Sequence, residues 1–191
     1  MTSTRNESGD ATLTRWAAAL TEAGWSPLAV EQAPAHLAGL RHLTDPSGRV
    51  EARAHAHRDR EIEVTLVSTA RRSDDGPVWH VIAGWLPADL VIAAARAADQ
   101  DGVGPEAGDL LTAAGWHLQR YERVTPQLAE HQWANKEETR WAQYTTEDPD
   151  PDDGHAGGWV ISTPGQAGRQ QRILASARTP AATIAALAFT A

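Results

Sequence analysis

Cysteine is absent from this chain of 191 residues. That excludes disulfides, thiolate nucleophiles and Cys-type zinc or iron–sulfur sites. No stretch is long and apolar enough to span a bilayer, and the opening Met1–Asp10 is polar, unlike a signal peptide. A cytoplasmic protein with a disordered tail over residues 1–11 is the expectation. Catalytic signatures are missing too. There is no Gly-x-Ser-x-Gly, and neither Ser47 nor Ser68 stands at a spacing that singles out a nucleophile. Gly165 and Gly168 lack the following lysine and helix of a phosphate loop. No catalytic residue and no cofactor is expected.

What is present is a repeat. Leu20-Thr21-Glu22-Ala23-Gly24-Trp25 returns as Leu111-Thr112-Ala113-Ala114-Gly115-Trp116, an offset of 91. The run from Pro87 to Ala94 returns as Pro180 to Leu187, an offset of 93. Two landmarks with nearly one offset indicate a tandem duplication, and a period this long means domain-sized copies rather than a solenoid. The copies are placed at residues 12–98 and 108–191, joined by a linker over 99–107. Units of about ninety residues have marginal cores alone, so the two are expected to pack as one pseudo-symmetric unit.

The net charge is −8, but it is unevenly spread. Eleven of the 25 acidic residues lie in three turn- or linker-like stretches around Asp74, Asp99–Asp109 and Glu147–Asp153, leaving 14 against 17 basic residues elsewhere. A mildly basic body keeps a polyanion partner in play.

Along the chain, Trp16, Ala19, Leu20 and Ala23 have helical spacing, with Thr12 or Thr14 as cap candidates. Gly24 is placed to end that helix in the left-handed conformation and let Trp25 fold back; Gly115 and Trp116 repeat the device. Asp45-Pro46-Ser47-Gly48 reads as a turn. Alternation then predicts strands over Val50–His57, Ile62–Leu66 and Val78–Trp85, an antiparallel meander. Pro87 opens a helix at the first-turn position that favours proline. In the second copy, strands are expected over His117–Arg123, Gln132–Thr145, Gly158–Ile161 and Ile173–Ala177. Thr179-Pro180 is expected to cap and open the last helix. The class is α+β, two antiparallel meanders flanked by helices.

A Trp-bearing strand, a Pro-started Ala/Ile/Leu helix and an Ala-Gly-Trp helix end, all in tandem, resemble a repeated domain of unknown function abundant in streptomycetes and related actinobacteria. Leu86 departs from it, standing where a threonine is expected before Pro87. The resemblance implies the fold and the two-copy layout, and no catalytic residues. Ala-, Arg- and Asp-rich composition also looks like a high-GC actinobacterium.

Three chemistries compete for the polar residues. His55-Ala56-His57 puts two imidazoles on one face of a strand, a spacing metal ligands use. With Glu61 it resembles the first metal motif of cupin barrels, though the glycine is out of register at Gly48 and no second motif is visible. The simpler reading is the wet face of a half-buried strand, and no metal is expected. For nucleic acid, Arg49, Arg53, His55 and His57 cluster on the first sheet. Lys136 and Arg140 lie near Trp133, Trp141 and Tyr144 on the second. A basic sheet with interleaved aromatics suits single strands, since bases stack on rings while phosphates meet the charges. Duplicated sheet-plus-helix units also resemble, in architecture, the Whirly and transcriptional-coactivator folds that bind single-stranded DNA. The expectation is a non-enzymatic binding protein for single-stranded nucleic acid; the alternatives are a protein-interaction or scaffold module and, behind it, a metal-dependent enzyme using His55 and His57.

Overall fold

Leu13, Trp16 and Leu20 recur at helical spacing and are buried, the stripe of a one-sided helix. That helix, α1 (Asn6–Glu22), begins earlier than the Thr12 or Thr14 cap expected, so residues 6–11 belong to it rather than to a tail. The computed structural model describes residues 6–28, 39–56, 62–71, 78–98, 106–123, 129–146, 157–164 and 170–190. Gly24 ends α1 at φ 91, and the Trp25 N–H reaches back to Leu20 O at 3.0 Å. Gly115 does the same for α3 (Glu106–Ala113) at φ 87, with Trp116 N–H on Leu111 O at 3.0 Å. Both are the left-handed helix stop anticipated from the Ala-Gly-Trp pairs.

The strands are β1 (Ser26–Pro27), β2 (Arg41–Thr44), β3 (Val50–Ala56), β4 (Ile62–Ser68) and β5 (His80–Ala83) in the first half. The second half supplies β6 (His117–Arg123), β7 (Ala129–Ala134), β8 (Trp141–Thr145), β9 (Gly158–Pro164) and β10 (Gln170–Ser176). All ten form one antiparallel sheet in the order β1-β2-β3-β4-β5-β10-β9-β8-β7-β6. The fold is α+β, with a single sheet where two separate meanders were expected. The halves meet through β5 and β10, where Ala83, Ile82 and Val81 pair with Ile173, Leu174 and Ala175.

Two further corrections concern the strands. β2 was not anticipated, because Arg41-His42-Leu43-Thr44 offers one apolar residue to any pattern. The stretch Gln132–Thr145 is not one strand: a turn over 135–140 divides it into β7 and β8.

Alternation buries one face of the sheet. Val50, Ala52 and Ala54 of β3, Val64 and Leu66 of β4, and Trp159 and Ile161 of β9 are buried under the helices. Those helices contact one another in the order α1-α2-α4-α3, where α2 is Ala88–Ala97 and α4 is Ala181–Thr190. One continuous apolar core runs through both halves. It contains Trp79 and Trp159 together with Leu90 and Val91 of α2 and Ile184 and Leu187 of α4, while Trp85 packs at its margin.

Helices α2 and α4 pack together, and each buries small side chains, Ala94 and Ala95 on one and Ala185 and Ala188 on the other. Small residues allow close approach, and the buried Thr183 hydroxyl donates to Ala94 O at 3.2 Å across that contact. Pro87 stands at the cap of α2 (φ −55, ψ 150), one residue ahead of the place expected. The Thr179 hydroxyl donates to His80 O at 3.3 Å, tying the start of α4 to β5 of the other half.

Candidate binding face

The opposite face of the sheet carries no helix among the described residues. Directly paired residues share a face, so the pairing register reads out what lies there. One row crosses nine strands: His42, Arg53, Thr65, Ile82, Leu174, Val160, Gln143, Gln132 and Arg120. A second row holds Arg172, Ser162, Trp141, Ala134 and His117. The uncovered face is thus polar at both ends, apolar at its centre and bears one large ring.

That ring is Trp141, half-buried on β8. Around it Gln132, Gln143, Val160, Ser162 and Gln170 enclose a shallow cavity of about 250 Å³. Three primary amides and a hydroxyl supply donors and acceptors, and no ionised side chain lines the cavity. Arg172 stands in the row of Trp141, and Arg120 stands opposite Gln132. Adjacent strands lie about 4.8 Å apart, so Arg172 is about 10 Å from the Trp141 strand position. Arg120 is exposed and ion-paired with Glu122 on its own strand.

At the other end of the face, Glu51 accepts from Arg53 at 2.8 Å and contacts His42 Nε2 at 3.0 Å. Burial raises the Glu51 pKa, but hydrogen bonds and charge from His42 and Arg53 outweigh it and hold the carboxyl below its ordinary value. Arg53 is therefore engaged in a structural ion pair.

The other expected site residues scatter. Arg49 is exposed in the β2–β3 turn and Lys136 in the β7–β8 turn. His55 stands opposite Glu63; His57, with Arg58 and Arg60, lies outside the described residues. Among those described, no group of three or more His, Asp or Glu is placed to hold a metal. Arg140 donates to Phe189 O at 2.7 Å and to Ala188 O at 3.4 Å, satisfying carbonyls at the end of α4.

Trp133 and Tyr144 correct the expectation of an aromatic platform, because both are buried on the helix side. Trp133 stacks on His131 (centroids 5.6 Å, planes 10° apart), and Tyr144 leans on Trp159 at 5.0 Å. In one continuous strand Trp133 and Trp141 would share a face, since eight residues separate them. The turn between them breaks that parity: Trp133 pairs with Ala142, and Trp141 with Ala134. Sequence reasoning also missed the three glutamines and Ser162. They come together only through pairings across four strands, β7 to β10, which no local spacing encodes.

No family model, curated protein or solved structure matches this chain.

Proposed function

We propose that the chain is a tandem duplication acting as a non-enzymatic binding protein, with its ligand on the uncovered sheet face. The duplication is supported by the strand order, which runs outward in both directions from the β5–β10 join. The matched helix stops at Gly24 and Gly115 support it as well. So does a pair of equivalent turns: Asp45 Oδ1 accepts from Arg49 and Val50 N–H, and Asn135 Oδ1 from Thr139 and Arg140 N–H, an offset of 90. Kinship with the tandem-repeat actinobacterial domain belongs to this proposal and rests on the same residues.

The ligand reading rests on one observation: Trp141 is a half-exposed ring beside three amides and a hydroxyl. A flat heterocycle stacks on such a ring while amides address its edge. Single-stranded nucleic acid is a ligand class that combines such a flat heterocycle with a phosphate for Arg172. Bases, rather than the backbone, dominate this mode, because Arg53 and Arg120 already hold carboxylates.

The test is fluorescence and anisotropy with labelled single-stranded oligonucleotides over a salt series. Binding that weakens with salt is expected, and Trp141→Ala should cost about 1–3 kcal/mol, the size of one stacked base. No signal at low salt would remove the reading, since phosphate attraction is strongest there.

A second reading, a protein-interaction face, is favoured by the central apolar stripe of Ile82, Leu174 and Val160, where Leu174 is 49% exposed. Leu174→Arg separates the two. It would disrupt a protein interface there and leave oligonucleotide affinity unchanged or higher.

A further inference from the structure

The two ends of the sheet are built differently. At one end β1 is two residues long and contains Pro27, which has no N–H to offer a further strand. At the other, β6 is seven residues long, contains no proline, and every one of its residues is exposed. Among the described residues, only β7 pairs with it. A free edge of that length is a template for another strand.

We propose that β6 pairs with β6 of a second copy of this chain, antiparallel about Tyr121, and continues the sheet across a two-fold axis. In an antiparallel two-fold pair, opposed residues lie on the same face, so the axis must pass through a single residue position. Each choice of that residue fixes every pair. Centred on Arg120, the join would oppose two arginines. Centred on Tyr121, it sets Arg120 of each copy opposite Glu122 of the other, and Gln119 opposite Arg123.

The same choice resolves the other face of the strand. Tyr121 pairs with His131 on the helix side and packs edge-on against it at 4.8 Å, yet it remains 55% exposed. Centring on Tyr121 brings the two tyrosines together and removes apolar surface that this chain leaves in water; cross-strand aromatic pairs are stabilising. The irregularity between Leu118 and Arg120 marks where the regular edge begins, so the join spans Gln119–Arg123 and leaves out His117 and Leu118. The mode has a precedent inside the chain, where β5 and β10 join two five-strand runs antiparallel.

Five residue rows bury less than the roughly 1,200–2,000 Å² of a standard stable interface, so a weak dimer, with a dissociation constant of about 10–100 µM, is expected. Sedimentation equilibrium on the full chain up to about 500 µM tests this, that range covering a complex of such strength. The expected result is a monomer–dimer equilibrium, weakened about tenfold or more by Glu122→Arg and restored by the double exchange Arg120→Glu/Glu122→Arg. These side chains lie outside the core, so thermal melts should be near wild type. A monomer throughout would overturn the proposal, as would a dimer indifferent to Glu122→Arg or one the double exchange fails to restore. Hydrogen exchange on the wild-type chain gives a check independent of any variant. Amides of residues 119–123 should gain protection with concentration, and protection that stays constant would overturn the proposal.

Discussion

Gly108 lies against the ring of Trp133 so closely that a Cβ added to it would stand 2.4 Å from Cζ2. Helix α3 seats on β7 through that contact. The ring cannot retreat, since it is held between His131 and Trp159, with centroids 5.6 Å and 5.5 Å away. Alanine is worth up to about 1 kcal/mol more than glycine in an open helix, but overpacking a rigid core costs about 1–3 kcal/mol. Gly108→Ala should therefore destabilise the protein by about 1 kcal/mol, the overpacking cost less the helix gain, read as a lower denaturant midpoint with an unchanged slope.

The two equivalent turns make opposite predictions for one position. Gly48 takes φ 73 at no steric cost, whereas Glu138, its counterpart, is held at φ 53. Glu138 is exposed, and its 3.7 Å approach to His117 Nε2 contributes little. Glu138→Gly should raise stability by up to about 1 kcal/mol, because the left-handed conformation costs an L-residue roughly 1–2 kcal/mol and the greater freedom of glycine in the unfolded chain offsets about 0.4–1 kcal/mol of that. Gly48→Glu should lower it by a similar amount. Thermal melts of both variants decide the matter; two shifts of the same sign would contradict the equivalence.

These turns also show how far the sequence could be read. Helix stops were legible at Gly24 and Gly115, because a single glycine imposes the backbone conformation. Strands β3, β4 and β5 were legible because alternating Val, Ala, Leu and Ile record a half-buried face. The β7–β8 turn was not, since Asn135-Lys136-Glu137-Glu138 shares no residue with Asp45-Pro46-Ser47-Gly48. What the two share is a side-chain oxygen aimed at backbone N–H groups four and five residues on, a relation visible only in three dimensions. From that one missed turn followed the misplacement of Trp133; Tyr144, three residues from Trp141, lies on the opposite face from it in any single strand. Of the cavity, only Trp141 was anticipated.

Asp45 makes stability depend on acid. Burial raises its pKa, but the Ser47 hydroxyl and the N–H groups of Val50, Ser47 and Arg49 outweigh that and hold it below the ordinary 3.8. A carboxyl depressed on folding binds fewer protons in the folded state. Its contribution is therefore complete above the unfolded value and lost as pH falls through the folded one. Stability should fall below about pH 4 more steeply in the wild type than in Asp45→Asn, where nothing titrates. Asn135 shows that an amide can hold such a turn. Asp45→Ala should cost about 1–3 kcal/mol at neutral pH by stranding the N–H groups. Denaturant midpoints at neutral pH and across the acid range would check both expectations.

The last prediction concerns the join between the halves. Among the described residues the join is made by the β5–β10 pairing, by the packing of α2 on α4, and by side-chain hydrogen bonds that include Thr183–Ala94, Thr179–His80, Ser176–His80 and Gln171–Trp85. Alanine buries little apolar area, at roughly 25 cal/mol per Å², so no single side chain dominates the join. Thr183→Val keeps the shape and removes one buried hydrogen bond, while Ala94 O retains the Ala98 N–H at 3.1 Å. It should cost only about 1 kcal/mol. Removing a whole half is a different matter. Residues 108–191 alone would expose the edge of β10 and the α2-facing side of α4 together, apolar surface that the full chain buries. That fragment should lack a cooperative melt or should self-associate, whereas the full chain should melt in one transition. A monomeric fragment melting near the full-chain temperature would show that each half holds its own core and that the join is incidental.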